Sequence, residues 1–138
     1  MKIFVSSVIT GMGTERAAAS EAVTQLGHEP ILAEELAAQP RSPQLACLNE
    51  LRQCPAVVLL VGAEYGARQP SGLSATHEEY RDARDRLPVI AFVQDGVTRN
   101  ADQAAFLHEV QDWQGGLFRG SFTTPQDLRA KLSFCGQS

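Results

Sequence analysis

A three-layer α/β fold built on a five-stranded parallel sheet is what this sequence predicts, and three observations carry the prediction. Apolar, β-branched runs alternate with helix-periodic segments along the chain, from Ile3-Phe4-Val5 to the segment after Pro125. The central run, Ala56-Val57-Val58-Leu59-Leu60-Val61, is apolar throughout, the pattern of a strand buried on both faces. With 138 residues the chain is expected to hold one domain, residues 1–138, so its strands share one sheet. Parallel neighbours need crossover connections, which helices supply, and the natural strand order is the flavodoxin-like 2-1-3-4-5.

Each element has its own signal. The first strand is expected over Lys2–Val8, where Ile3, Phe4, Val5 and Val8 leave almost no polar interruption before Ser6. A first helix over Glu15–Leu26 follows from Ala19, Ala22, Val23 and Leu26 at helical spacing, with Gly27 at the stop. A second strand covers Glu29–Ala33. Pro40 and Pro43 frame the entry to a helix over Pro43–Gln53, which Pro55 halts. The third strand, Ala56–Val61, ends at Gly62, and a polar loop to Leu73 leads into a helix over Thr76–Arg86. Leu87–Val93 reads as the fourth strand. The helix Ala101–Trp113 sets Phe106, Leu107, Val110 and Trp113 on one core-facing stripe, and a short fifth strand over Leu117–Phe122 precedes a last helix, Pro125–Phe134.

Composition narrows the function classes. Hydrophobic residues make up 43% and charged residues 20%, the balance of a folding globular chain. The net charge of −4 provides no cationic field for a phosphate backbone, so no nucleic-acid partner is expected. The longest apolar run, Ala56–Val61, is far below the ~20 residues that span a bilayer, and the first residues do not form a signal-peptide core. No membrane partner is expected, and the reading is a soluble, cytoplasmic protein. Cys47 and Cys54 lie seven apart on one expected helix, about 10 Å along its axis, too far for a disulfide. All three cysteines are read as reduced, Cys47 and Cys54 as helix packing. No Cys/His spacing fits a metal site, and the histidines His28, His77 and His108 are scattered.

In doubly wound sheets ligands bind beyond the carboxyl ends of the strands, where the winding reverses between strands one and three. That rule selects Ser6 and Ser7, the turn Gly62-Ala63-Glu64-Tyr65-Gly66, and the start of the third helix. Ser6 and Ser7 suit a sugar or phosphate or, equally, a turn. Gly62 and Gly66 allow close backbone approach to a ligand, and Tyr65 can stack on a flat ring or simply be half-buried. The polar cluster Ser71–Tyr80 passes into the third helix. There Thr76-x-x-Glu79 reads as a capping box, with Thr76 as the cap, or as part of a site, and Glu78 reads as a solvated helix residue. Gly11-Met12-Gly13-Thr14 lacks the Walker lysine and the dinucleotide fingerprint. Arg16 is more at home in solvent than over the crevice. Glu34 and Glu35 follow strand two, where a ribose hydroxyl can be met. No serine–histidine–acid set assembles at the carboxyl end of the sheet from His28 or His108.

Taken together, Phe4-Val5-Ser6-Ser7, Glu15-Arg16, Gly62-Ala63-Glu64-Tyr65-Gly66, Ser74-x-Thr76-x-x-Glu79-Tyr80, Pro88–Val93 and Phe106-Leu107 before Trp113 carry a resemblance through essentially the whole chain. The chain resembles the TIR-like domain of unknown function found at the N-terminus of STAND-type ATPases and tied in bacteria to antiviral defence. That group is similar to Toll/interleukin-1 receptor (TIR) domains and to nucleoside 2-deoxyribosyltransferase-like folds, whose enzymes cleave N-glycosidic bonds with one glutamate early in a helix. The resemblance implies a TIR-like fold and hydrolysis of NAD⁺ or a related nucleotide at the nicotinamide–ribose bond, with activation by self-association. The alternative is a non-catalytic self-associating or nucleotide-signal-binding module. A STAND-type sensor protein is the implied partner. Glu79 matches the catalytic position. Ser6, Ser7, Arg16, Gly62, Tyr65, Gly66, Ser74 and Thr76 are the implied substrate-binding residues, with NAD⁺ as substrate and neither cofactor nor metal. TIR enzymes usually show Trp-Cys where this chain has Ala75 and Thr76.

One carboxylate suffices for such chemistry. Nicotinamide leaves as a neutral group, so no general acid is needed, and an anion beside the ribose stabilises the oxocarbenium-like transition state. The expectation is therefore specific: Glu79 should stand at the carboxyl end of the sheet and face an open groove.

Overall fold

The computed structural model describes residues 1–8, 11–32, 43–112 and 118–135. Five strands, β1 (Lys2–Ser6), β2 (Glu29–Leu32), β3 (Ala56–Val61), β4 (Val89–Gln94) and β5 (Phe118–Phe122), alternate with five helices. The helices are α1 (Gly13–Gln25), α2 (Pro43–Gln53), α3 (Ala75–Ala83), α4 (Ala101–Asp112) and α5 (Pro125–Cys135). All neighbouring strands are parallel, in the order β2-β1-β3-β4-β5, so the expected flavodoxin-like α/β topology is the observed one.

Strand alternation splits the core into two layers of packing. Ile3, Val5, Val58, Leu60 and Phe92 face Ala18, Ala19, Ala22 and Val23 of α1 and Leu128 and Leu132 of α5. Phe4, Val57, Leu59, Val61 and Ala91 face Leu51 of α2, Tyr80 and Ala83 of α3, and Phe106 and Val110 of α4. Phe106 and Val110 are core as expected and Leu107 packs half-buried against it. Trp113, Glu34, Glu35 and the side chains of Cys47 and Cys135 lie outside the described residues. Cys54 is buried one residue beyond α2, its thiol donating to the Glu50 carbonyl (3.3 Å).

Several boundaries move, each for a local reason. Strand β1 stops at Ser6 rather than Val8, because the Ser7 carbonyl is taken by the Arg16 guanidinium (3.2 Å) instead of a neighbouring strand. Helix α1 starts two residues early, at Gly13, with Met12 as its N-cap. Helix α3 ends at Ala83, not Arg86. Its tail tightens into a turn in which Ala83 O accepts from both Arg86 N and Leu87 N. Pro88 has no N–H to give, so β4 begins at Val89, although the Pro88 carbonyl accepts from Val57 N (3.0 Å). Among the described residues no helix is long and apolar enough to cross a membrane.

Candidate active site

Successive residues of a strand point to opposite faces, and at the exit of β1 this separates the two serines. Phe4 belongs to the layer against α3 and Val5 to the layer against α1. Ser6 accordingly reaches α3, its hydroxyl donating to Glu79 Oε1 at 2.7 Å. Ser7 reaches α1, its Oγ accepting from Arg16 Nη1 at 2.7 Å. The expectation of a solvated Arg16 is overturned: it is only 3% exposed, held in the first helical turn with its own N–H on Met12 O (2.8 Å). A carboxyl and a guanidinium thus bracket the end of β1 from the two sides of the sheet.

Helix α3 delivers Glu79 through a cap that the sequence reading placed on the wrong hydroxyl. Ser74, in extended conformation, is the N-cap, and its Oγ accepts from His77 N (3.2 Å). Thr76 already lies within the helix and cannot cap it, so no capping box forms and Glu79 is free to turn inward. Thr76, His77, Glu79, Tyr80 and Ala83 form the buried face. Glu78 is half-buried rather than solvated and accepts from the Ser71 hydroxyl.

Burial pushes the Glu79 carboxyl up to about 7, against the Ser6 hydrogen bond and the Arg16 charge, which favour ionisation, and with Glu78 adding to the rise. A carboxyl poised there is half-ionised at neutral pH, as acid–base groups at working sites are. The open groove is not beside it. Glu79 is 4% exposed, and the glycines beyond β3 make room for the chain itself. A Cβ at Gly62 would lie 2.7 Å from Met12 Sδ, and one at Gly66, where φ is +87°, would lie 3.2 Å from Val8 Cγ2. The expected close approach of a ligand to Gly62 and Gly66 is made instead by Met12 and Val8. Tyr65, expected to be half-buried or to stack on a ring, is 4% exposed and packs edge-on to Phe106. Among the described residues an open groove of about 630 Å³ runs along α1, lined by Gly13, Arg16, Ala17, Ser20, Thr24 and Leu32 among others, and meets the site only through Arg16.

The residue that sequence reasoning missed is His77. Its Nδ1 lies 2.6 Å from the Tyr65 hydroxyl and its Nε2 3.0 Å from Glu109 Oε1, while Tyr65 Oη also accepts from Ser74 N (3.3 Å). Arg81 and Arg84 complete the surroundings of Glu109 (2.7 and 3.4 Å). The legible signal was the i, i+3 row His77, Tyr80, Ala83, which marks His77 as part of the buried face of α3. Neither His28, which sits beside the N-terminal amine, nor His108, paired on the surface with Asp112, joins either cluster.

Comparison with solved structures places the fold among flavodoxin-like proteins. A flavodoxin-like domain from Synechococcus sp. matches with a TM-score of 0.60 at 13% identity, covering 99% of this chain and 95% of that one. A conserved protein from Enterococcus faecalis V583 matches with a TM-score of 0.58 at 17% identity, covering 98% of both chains. A 2-deoxyribosyltransferase from Bacillus psychrosaccharolyticus matches with a TM-score of 0.56 at 15% identity, covering 96% of both. No curated protein matches the chain. At sequence level, residues 2–134 match one family over nearly the whole length, and the chain therefore belongs to the domain of unknown function DUF4062.

Proposed function

We propose that this domain cleaves the N-glycosidic bond of a nucleotide, NAD⁺ first among the substrates to test, with Glu79 as the working carboxylate. The observation that carries the reading is the buried Glu79 carboxyl at the end of β1, hydrogen-bonded to Ser6 and pushed up to about 7 at the reversal point of the sheet. The structural likeness to a 2-deoxyribosyltransferase supports it at the level of fold, and the TIR-like resemblance of the sequence supplies NAD⁺. In the reaction the C1′–N bond breaks with its electron pair leaving on nicotinamide. Water adds to the ribose carbon and loses its proton to solvent. Ionised Glu79 stabilises the positive charge that develops between those events. Arg16 and Ser7, on the far side of β1, hold the diphosphate side of the substrate, and Ser6, Ser74 and Thr76 shape the ribose side, while Gly62 and Gly66, against Met12 and Val8, and Tyr65, bonded to His77, hold the turn behind them. A carboxyl covered in the single chain fits a domain switched on by clustering of copies, as in an immune-type effector carried by a STAND-type sensor in the cytoplasm.

The test is nicotinamide release from NAD⁺ by wild type and Glu79→Gln, each fused to a multimerising partner. Gln still accepts from Ser6, so the fold is kept. The expected outcome is release by wild type, rising with pH to a plateau above about 7, and at least a hundredfold loss in the variant. Equal release by both removes Glu79 from the mechanism.

A second reading is favoured by a specific observation, the 4% exposure of Glu79, with Met12 and Val8 standing against Gly62 and Gly66 where a ligand was expected. Here Glu79 pins α3 to β1, and the domain is a self-associating or nucleotide-binding module. A nucleotide that raises Tm yet stays intact in the clustered wild type decides for binding without cleavage.

A further inference from the structure

The geometry points to His77 as a positioning residue for Glu79, a fixed imidazole that ties the first turn of α3 both to the turn after β3 and to α4. The inference rests on Glu79 being the working carboxyl. Its basis is the distribution of protons along one chain of hydrogen bonds. Glu109, gripped by Arg81, is held below the ordinary carboxylate value and can only accept, so His77 Nε2 carries a proton and donates it. With that proton on Nε2, Nδ1 serves as the acceptor for the Tyr65 O–H, 2.6 Å away, while Tyr65 Oη accepts from Ser74 N. The chain therefore runs in one direction, from Ser74 N–H to Tyr65, from Tyr65 O–H to Nδ1, and from Nε2–H to Glu109. Every group along it is used, with the ring proton on Nε2.

Burial makes this constraint firm. His77 is 7% exposed, with the Phe106 ring 4.5 Å from its own and tilted by 38°, and Tyr65 edge-on at 5.6 Å. The helix it anchors is short, nine residues, and its apolar anchors Tyr80 and Ala83 lie towards the C-terminal half. The N-terminal half is held by polar bonds: the Ser74 cap, the two His77 contacts, and Glu79 to Ser6. Only Glu78 separates His77 from Glu79, so a first turn that drifts carries the carboxyl away from Ser6 and admits water. A site carboxyl has to be held to within about 0.5 Å, and that precision comes from neighbours of this kind.

The test reads the Glu79 carboxyl directly. Its titration is followed by infrared difference spectroscopy of the intact protein against Glu79→Gln, in wild type, His77→Phe, His77→Gln and Tyr65→Phe. The charged and titratable groups facing these two residues stay in place: Glu109 on α4, Arg81 on α3, Arg84 just beyond it, and Arg68 over the Tyr65 ring at 5.3 Å; around Glu79, Arg16 on α1 and Glu78 on α3. His77→Phe keeps a ring against Phe106 but loses both bonds, and the midpoint is expected to fall from about 7 by about one unit as the carboxyl hydrates. Tyr65→Phe, which removes one oxygen and leaves His77 in place, should move it the same way. His77→Gln retains one acceptor and one donor and should hold the midpoint near the wild-type value. Were His77→Phe and Tyr65→Phe to lower Tm while leaving the midpoint where it is, His77 would be a packing residue and the inference would fall. Nicotinamide release does not enter this readout, so a failure of the proposed activity and a failure of the positioning role are separate results.

Discussion

Glu79 on α3 and Glu109 on the neighbouring α4 are carboxyl groups shifted in opposite directions. Glu79 and Glu109 are both taken out of bulk water, Glu79 the more completely. Burial raises Glu79 to about 7 because its supports are one hydroxyl and a guanidinium engaged elsewhere. Burial pulls on Glu109 as well, but hydrogen bonds from Arg81 and His77 outweigh it and hold that carboxyl below its ordinary value. The difference separates a carboxylate used as a strut from one kept in tension. A fully paired anion is stable and inert, whereas one short of partners is poised to gain by meeting a developing cation.

The largest expected effect exploits that contrast through pH. The Glu79 carboxyl is neutral in the fold up to about 7, whereas in the unfolded chain it ionises near 4.5. Between those values the folded state binds more protons, so stability is fully present below 4.5 and falls as pH rises through about 7. The shift corresponds to roughly 3 kcal/mol. Glu79→Gln stays neutral throughout. Urea unfolding at pH 4 and pH 8 should find the variant close to wild type in acid and more stable than wild type by that amount in base. A gap that does not change with pH would mean the carboxyl is hydrated and unstrained.

Glu109→Ala should show the mirror image on a smaller scale. Its folded pKa is lowered, so its contribution is present at neutral pH and is lost as pH falls through the folded value. The substitution also leaves His77 Nε2–H without its acceptor, at a cost of about 1–2 kcal/mol at pH 7. In the same unfolding experiment the gap to wild type should narrow towards acid, where that of Glu79→Gln vanishes for the opposite reason.

The same contrast marks where the sequence is transparent. Strand order, the alternation of elements and the two-sided core follow from runs such as Ala56–Val61 and from the helical rows, because periodicity reports burial directly. The end of the sheet to which Ser6, Ser7 and Glu79 belong was also legible, since topology fixes it. Partners were not. Nothing local in the sequence says that Ser7 faces Arg16 while Ser6 faces Glu79, nine and 73 positions away, until strand alternation and helix placement are combined. The closure of the crevice was hidden for a similar reason, because a glycine in a turn reads alike whether a ligand or Met12 lies against it. His77 escaped because its partners, Tyr65 and Glu109, come from two other elements, 12 and 32 positions off.

The smallest effect concerns the start of α3, where Ser74, and not the Thr76 expected from the sequence, has the geometry to cap. A cap must sit before the helix in extended backbone, as Ser74 does at φ −71° and ψ 161°, with its oxygen turned back to the N–H of His77. Ser74→Ala should cost about 1 kcal/mol and lower Tm by about 3 °C, and Thr76→Val, which removes the hydroxyl inside the helix and keeps its shape, should lower Tm by less than about 1 °C. The comparison of the two carboxyls depends on this ranking. If Thr76 were the cap, Glu79 would bend back to its backbone N–H in a capping box and could not reach Ser6, and its carboxyl would titrate like any helix-terminal glutamate. A larger loss at Thr76 than at Ser74 would therefore return Glu79 to the surface of the helix and leave Glu109 as the only carboxyl of the pair held by the interior.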